Sequence, residues 1–152
     1  ALLLVIYFIL SAGLFFLSLA ERDLILLTFL ILSIFDSFSQ ITGQLFGKTK
    51  IMPDISPNKT LGGVVGGTII SLVSAFLLKS LFFGTIPELF LFAFGTILFA
   101  FIGDILASFY KRKFQVKDYS NWIPGHGGFL DRFDSLIAGG AWAALAISFL
   151  GI

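Results

Sequence analysis

The sequence predicts an all-α, polytopic integral membrane protein, a single transmembrane domain over residues 1–152 with about five transmembrane helices. Three observations carry that expectation. Of the 152 residues, 57% are hydrophobic and only 12% are charged, too few charges to cover a soluble domain of this size. Runs of roughly 20 mostly apolar residues, enough for a helix to cross the hydrocarbon core, recur along the chain. The basic residues outside those runs gather in two connectors, which is how membrane proteins mark their cytoplasmic side.

Taken in order, the expected spans cover about residues 1–20, 24–46, 61–83, 86–109 and 129–152. The first starts at Ala1 inside an apolar run, so more protein is expected upstream. The connector at about 47–60 holds Lys48, Lys50 and Lys59, and that at about 110–128 holds Lys111, Arg112, Lys113 and Lys117. Both are expected to face the cytoplasm. The "ERD" connector and the turn at Gly84 to Pro87 carry little positive charge, which puts them outside, the N-terminus inside and the C-terminus outside. With no cysteine, the chain has no disulfides, thiolate metal sites or cysteine nucleophiles. No internal repeat is visible.

Charged residues inside apolar spans are costly and mark functional candidates. Asp36, Gln40, Gly43, Gln44 and Gly47 follow helical spacing and form a polar, small-residue stripe that suits either helix packing or a polar cavity. Asp104, Ser108 and Lys111 stand at i, i+4 and i+7 and share one face if the fourth span continues that far. The bland alternative there is a self-neutralising Asp–Lys pair, with Lys111 snorkelling to water. Asp131 and Asp134, at i and i+3 around Arg132, bring two carboxylates to one side of a helix opening. Such a pair favours a shared cation, and Mg²⁺ takes hard oxygen ligands, although acids near a helix N-terminus need no metal.

Two glycine-rich stretches complete the pattern. In "SPNKTLGGVVGG", Ser56, Asn58 and Thr60 can cap a helix start, Lys59 adds charge, and the glycines allow either close phosphate approach or helix packing. It is not a GxxxxGK[ST] loop. In "PGHGGFLDRFDS", the single histidine, His126, lies in a Pro-Gly turn beside two acids, where it can order a site or contact phosphate.

The segment from Ser108 to Asp134 resembles the signature of the phosphatidate cytidylyltransferases, also called CDP-diacylglycerol synthases. Ser108, Lys111, Arg112, Lys117, Asp118, Ser120, Pro124, His126, Gly127, Gly128, Asp131, Arg132 and Asp134 fall in register with it. Upstream, "DSFSQITGQLFGKTK" and "SPNKTLGG" resemble the family's Asp-containing helix and Ser-Pro-x-Lys-Thr stretch. Tyr110 and Gln40 are departures, and Leu61-Gly62 stands where many members have Trp-Glu.

The resemblance implies transfer of CMP from CTP to phosphatidate, giving CDP-diacylglycerol and pyrophosphate, with Mg²⁺ or another divalent cation as cofactor. On that basis Asp104, Asp131 and Asp134 are expected to bind metal, with Lys111, His126 and Asp134 in catalysis. Ser56, Lys59, Thr60, Arg112, Lys117 and Arg132 are expected at phosphate, and Asp36, Gln40, Ser108 and Asp118 in the surrounding polar cavity. The expected partners are the two substrates and membrane lipid, with no nucleic acid and with homo-oligomerisation left open. The expected location is a bacterial inner membrane, with the site facing the cytoplasm. Two alternatives remain: a CTP-dependent transferase acting on another lipid phosphate or a polyprenol, and a transporter whose intramembrane charges line an ion path.

Overall fold

A computed structural model of the chain describes residues 9, 11–13, 15–82, 84–113 and 130–151, and for 130–134 the backbone alone. Its main elements are four helices and one hairpin: α1 (Arg22–Phe46), β1 (Lys50–Met52), β2 (Ser56–Thr60), α2 (Leu61–Leu77), α3 (Ile86–Lys113) and α4 (Leu130–Leu150). The described parts of the first expected span are also helical, at 9, 11–13 and 15–18. Among the described residues, two helices, α1 and α3, are long and apolar enough to cross a membrane, while α2 and the described side-chain portion of α4 are shorter apolar helices.

Each helix forms where its sequence favours it. α1 runs without Gly or Pro until Gly43, and ends at Gly47, whose N–H bonds Gly43 O at 3.0 Å. α2 starts from Thr60, whose hydroxyl accepts the Gly63 N–H at 3.2 Å, the N-cap the sequence suggests there. At the start of α3, Glu88 Oε2 accepts the Thr85 N–H at 2.6 Å, half of a Thr-x-x-Glu capping box, with Pro87 tolerated in the first turn.

The all-α expectation needs one correction. The connector at 47–60 contains a small antiparallel hairpin, with Lys50 paired to Thr60 and Met52 to Ser56 across an irregularity. Pro53 and Asp54 suit the turn between the strands, and Pro57, which has no N–H to donate, is tolerated in a two-stranded ribbon. The hairpin ends directly in α2, where the Leu61 N–H reaches Thr49 O at 2.9 Å. A second correction concerns the other basic connector: Lys111, Arg112 and Lys113 form the last turn of α3, where cations complement the helix dipole. The third span is also shorter than expected, α2 ending at Leu77 before a 3₁₀ turn at Lys79–Leu81.

α1 packs along α2, and α3 along α4, with further contacts joining the pairs. On α2 the buried positions are Gly63, Gly67, Ser71 and Ala75, a small residue every fourth position. Large Leu61, Val65, Ile69 and Val73 are exposed. Small residues inside and large apolar ones outside is the pattern of helices whose surroundings are lipid, where close backbone approach drives association. Buried Thr28 and Thr96 fit it too, their hydroxyls donating to Leu24 O at 2.8 Å and Phe92 O at 2.7 Å within their own helices. On the α3/α4 side, Trp142 stacks on Phe99 at 4.9 Å and fills the space over Gly95.

The glycines of "LGGVVGG" therefore act first in packing. A Cβ on Gly67 would lie 2.9 Å from the Ser39 Cβ and backbone N, and one on Gly66 would meet the Thr42 side chain at 2.7 Å. Gly67→Val is expected to force α1 and α2 apart and lower stability by about 1–3 kcal/mol. Thermal unfolding of the detergent-solubilised protein measures this, and an unchanged midpoint would contradict the seam.

Candidate active site

Three elements meet where α1, β2 and α3 converge. α1 contributes Phe35, Asp36, Ser39 and Gln40, β2 contributes Ser56, Asn58, Lys59 and Thr60, and α3 contributes Phe101 and Asp104, around a cleft of about 260 Å³ closed by Gly63 and Val64. The close α1/α2 seam makes this possible: a Cβ on Gly63 would lie 2.5 Å from Ser39 O and 3.1 Å from Gly43 Cα. Gly47 likewise leaves room for Thr60, so the start of α2 can sit against the end of α1.

At the centre of the cleft, the Lys59 ammonium pairs with Asp104 Oδ2. The Nζ atom is shielded from solvent and lies 5.0 Å from the centroid of the Phe101 ring, a cation–π geometry. A buried ammonium must be paired, and Asp104 and the aromatic face supply that compensation. The other Asp104 oxygen, Oδ1, faces the Ser108 hydroxyl at 3.5 Å, as the i, i+4 spacing predicts for a helix continuing past the apolar run. The carboxylate at 104 thus finds its cation on β2.

Asp36 lines the same cleft, and its Oδ2 faces the Ser135 hydroxyl at 3.4 Å. That contact brings α4, close after Asp131, Arg132 and Asp134 in the chain, against the polar end of α1. The α1 stripe divides by function: Asp36 and Gln40 line the cleft, whereas Gly43 and Gly47 pack against Thr60.

A second cleft, about 310 Å³, is lined by Ile55, Ser56, Pro57, Asn58, Ser108, Lys111 and Arg112. Ser56 and Asn58 border both clefts, so β2 is their common wall. The Arg112 Nε–H donates to Ile55 O at 3.3 Å, fastening the hairpin to the end of α3. The first cleft thus holds two carboxylates and an ammonium, and the second holds two basic side chains. Juxtaposed carboxylate oxygens and cations suit binding a polyanion together with a hard cation.

Of the residues singled out from the sequence, Asp36, Gln40, Ser56, Lys59, Thr60 and Asp104 meet at the first cleft, and Ser56, Ser108, Lys111 and Arg112 at the second. Thr60 serves at the same time as the α2 cap. Lys117, Asp118 and His126 lie outside the described residues. Asp131, Arg132 and Asp134 lie in α4, which preserves the i, i+3 relation of the two acids along the backbone. Asn58 and Phe101 are among the contributors not singled out as site residues. Asn58, read as a capping residue, borders both clefts, and Phe101 meets Lys59, a position signalled only by its i, i+3 spacing from Asp104.

Among the described residues, the first cleft offers the oxygens of Asp36 and Asp104 with those of Gln40, Ser56 and Asn58. Hard, oxygen-only donors of this kind fit Mg²⁺. No group of three or more His, Cys, Asp or Glu side chains is assembled among the described residues.

An apolar helical frame around such a charged cleft is consistent with a membrane helical protein. The family model of the cytidylyltransferase family matches residues 1–150, and the chain belongs to that family. It is 41% identical over 122 residues to a phosphatidate cytidylyltransferase of Rickettsia bellii, covering 75% of this chain and 53% of that protein. It is 45% identical over 116 residues to one of Staphylococcus saprophyticus, covering 74% and 44%, and 43% identical over 104 residues to one of Bacillus subtilis, covering 67% and 39%. The chain spans about half the length of the first of these relatives.

Proposed function

We propose that the chain carries the catalytic portion of a phosphatidate cytidylyltransferase. The observation that carries this reading is the pair of clefts sharing Ser56 and Asn58 of β2, carboxylates in one and Lys111 and Arg112 in the other, in a helical frame with apolar side chains outward. In the reaction, a phosphatidate phosphate oxygen attacks the α-phosphorus of CTP, a new P–O bond forms, and the bond to the β-phosphate oxygen breaks to release pyrophosphate. The nucleophile is already an anion at neutral pH, so positioning and charge neutralisation make up most of the work.

Lys111, Arg112 and Lys59 are suited to balance phosphate charge, with Lys117 and Arg132 adding to it. Ser56 and Thr60 offer hydroxyls at the same wall, and His126 positions or donates to a phosphate oxygen. Asp104, Asp131 and Asp134 would hold Mg²⁺, whose bound form supplies Lewis-acid polarisation of phosphate oxygens. Asp36, Gln40, Ser108 and Asp118 shape the polar surroundings.

The frame crosses the membrane five times within this chain, with both basic connectors and the site facing the cytoplasm of a bacterial inner membrane. The length of the apolar runs and the placement of Lys and Arg support that orientation. In intact cells, single cysteines from Lys50→Cys and Lys113→Cys are expected to resist a membrane-impermeant thiol reagent until the membrane is opened. Labelling from outside would overturn the orientation.

The function is tested by incubating full-length protein with labelled CTP, phosphatidate and Mg²⁺ and following CDP-lipid. No lipid product would sink the proposal. Product from a different lipid phosphate alone would redirect it to another CTP-dependent transferase.

A further inference from the structure

The Lys59 ammonium occupies one oxygen of the cleft's best-placed carboxylate. Asp104 Oδ2 is given to Lys59, while Oδ1 faces Ser108. The ammonium is buried and backed by the Phe101 ring, so it is held in place rather than free in solvent. With Asp36 on the same cleft, the described lining carries two carboxylates against one ammonium, a surplus of negative charge that favours an additional cation. A divalent ion and an ammonium cannot share Oδ2 without strong repulsion at such short range.

We propose that Lys59 is a built-in counter-cation that holds the Asp104 oxygen until a divalent cation arrives together with a phosphate, and then transfers its charge to that phosphate. The proposal rests on the metal-assisted nucleotidyl-transfer reading, which does not itself require any exchange of partners by Lys59. Lys59 is on β2, whose Ser56 and Asn58 also line the Lys111 and Arg112 cleft, and its flexible four-carbon stem allows the ammonium to be redirected. Metal alone must displace a paired, buried cation and leave it only Asp36 in the same cleft. Metal with phosphate gives the displaced ammonium a new partner, so the two ligands bind synergistically.

The test is binding of Mn²⁺ alone to purified full-length protein, read from the electron paramagnetic resonance signal of free Mn²⁺, with no nucleotide or lipid. Lys59→Met and Lys59→Gln are both expected to bind Mn²⁺ at least about tenfold more tightly than the wild type, because the competing charge is gone. Inorganic phosphate is expected to tighten Mn²⁺ binding to the wild type, after allowance for its own chelation, and to leave both variants nearly unchanged. Equal or weaker binding by a folded variant, no response of the wild type to phosphate, or no Mn²⁺ binding to any of the proteins would each overturn the proposal. The phosphate comparison needs only wild-type protein, so an absent response overturns the proposal even where the variants fail to fold. CDP-lipid formation by the wild type, measured separately, tells failure of this exchange from failure of the nucleotidyl-transfer reading.

Discussion

Asp104→Asn is expected to cut CDP-lipid formation by about 10²–10³-fold while the protein stays folded, the magnitude typical of removing one organised charge from a transition-state environment. The substitution nearly preserves shape, and an amide oxygen can still face Ser108. What disappears is the negative charge that Lys59 pairs with and that a divalent cation would require. A purely structural account of the pair, in which it only ties β2 to α3, makes a different forecast. Buried ion pairs can often be replaced by apolar or neutral partners without loss, provided both members go. On that account the double variant Lys59→Met with Asp104→Asn would regain turnover relative to Asp104→Asn alone. The expected result is that the double variant remains as inactive as the single one, although its thermal unfolding midpoint recovers. Recovery of turnover would remove Asp104 and Lys59 from the chemistry and leave them as a clamp.

That pair also shows where the sequence stopped being informative. α1 and α3 were legible because each is a long apolar run, and Ser108 could be placed on the Asp104 face by helical arithmetic alone. The partner of Asp104 could not. Lys59 lies on a different element, brought there by a hairpin of short strands that contains Pro57 and charged residues and so gives little strand signal. The glycines were ambiguous for a related reason. Phosphate approach and close helix approach demand the same missing Cβ, and only the positions of Ser39 and Thr42 against Gly63, Gly66 and Gly67 distinguish them. The polar stripe on α1 served two purposes at once, cleft lining at Asp36 and Gln40 and helix packing at Gly43 and Gly47, which periodicity alone cannot separate.

Asp134→Asn is expected to abolish most turnover and to weaken the Mg²⁺ dependence of what remains at saturating CTP, without unfolding the protein. The position of the residue along α4 makes the competing explanation testable. Helix-dipole stabilisation of an acid is on the order of 1 kcal/mol or less on a surface and falls off beyond the first turn. Asp131 and Asp134 both lie among the first described residues of α4. If the two acids served only the dipole, each substitution would cost a little stability and neither would alter turnover much. The metal assignment predicts instead that both lose activity, with unfolding midpoints near that of the wild type. Ser135, the next residue after Asp134, faces Asp36 at 3.4 Å, so the start of α4 adjoins the cleft where a cation held by Asp104 would lie. A folded Asp134→Asn protein with wild-type turnover and an unchanged Mg²⁺ titration would refute the assignment of Asp134, leaving the cleft chemistry to Asp104, Lys59 and the basic end of α3.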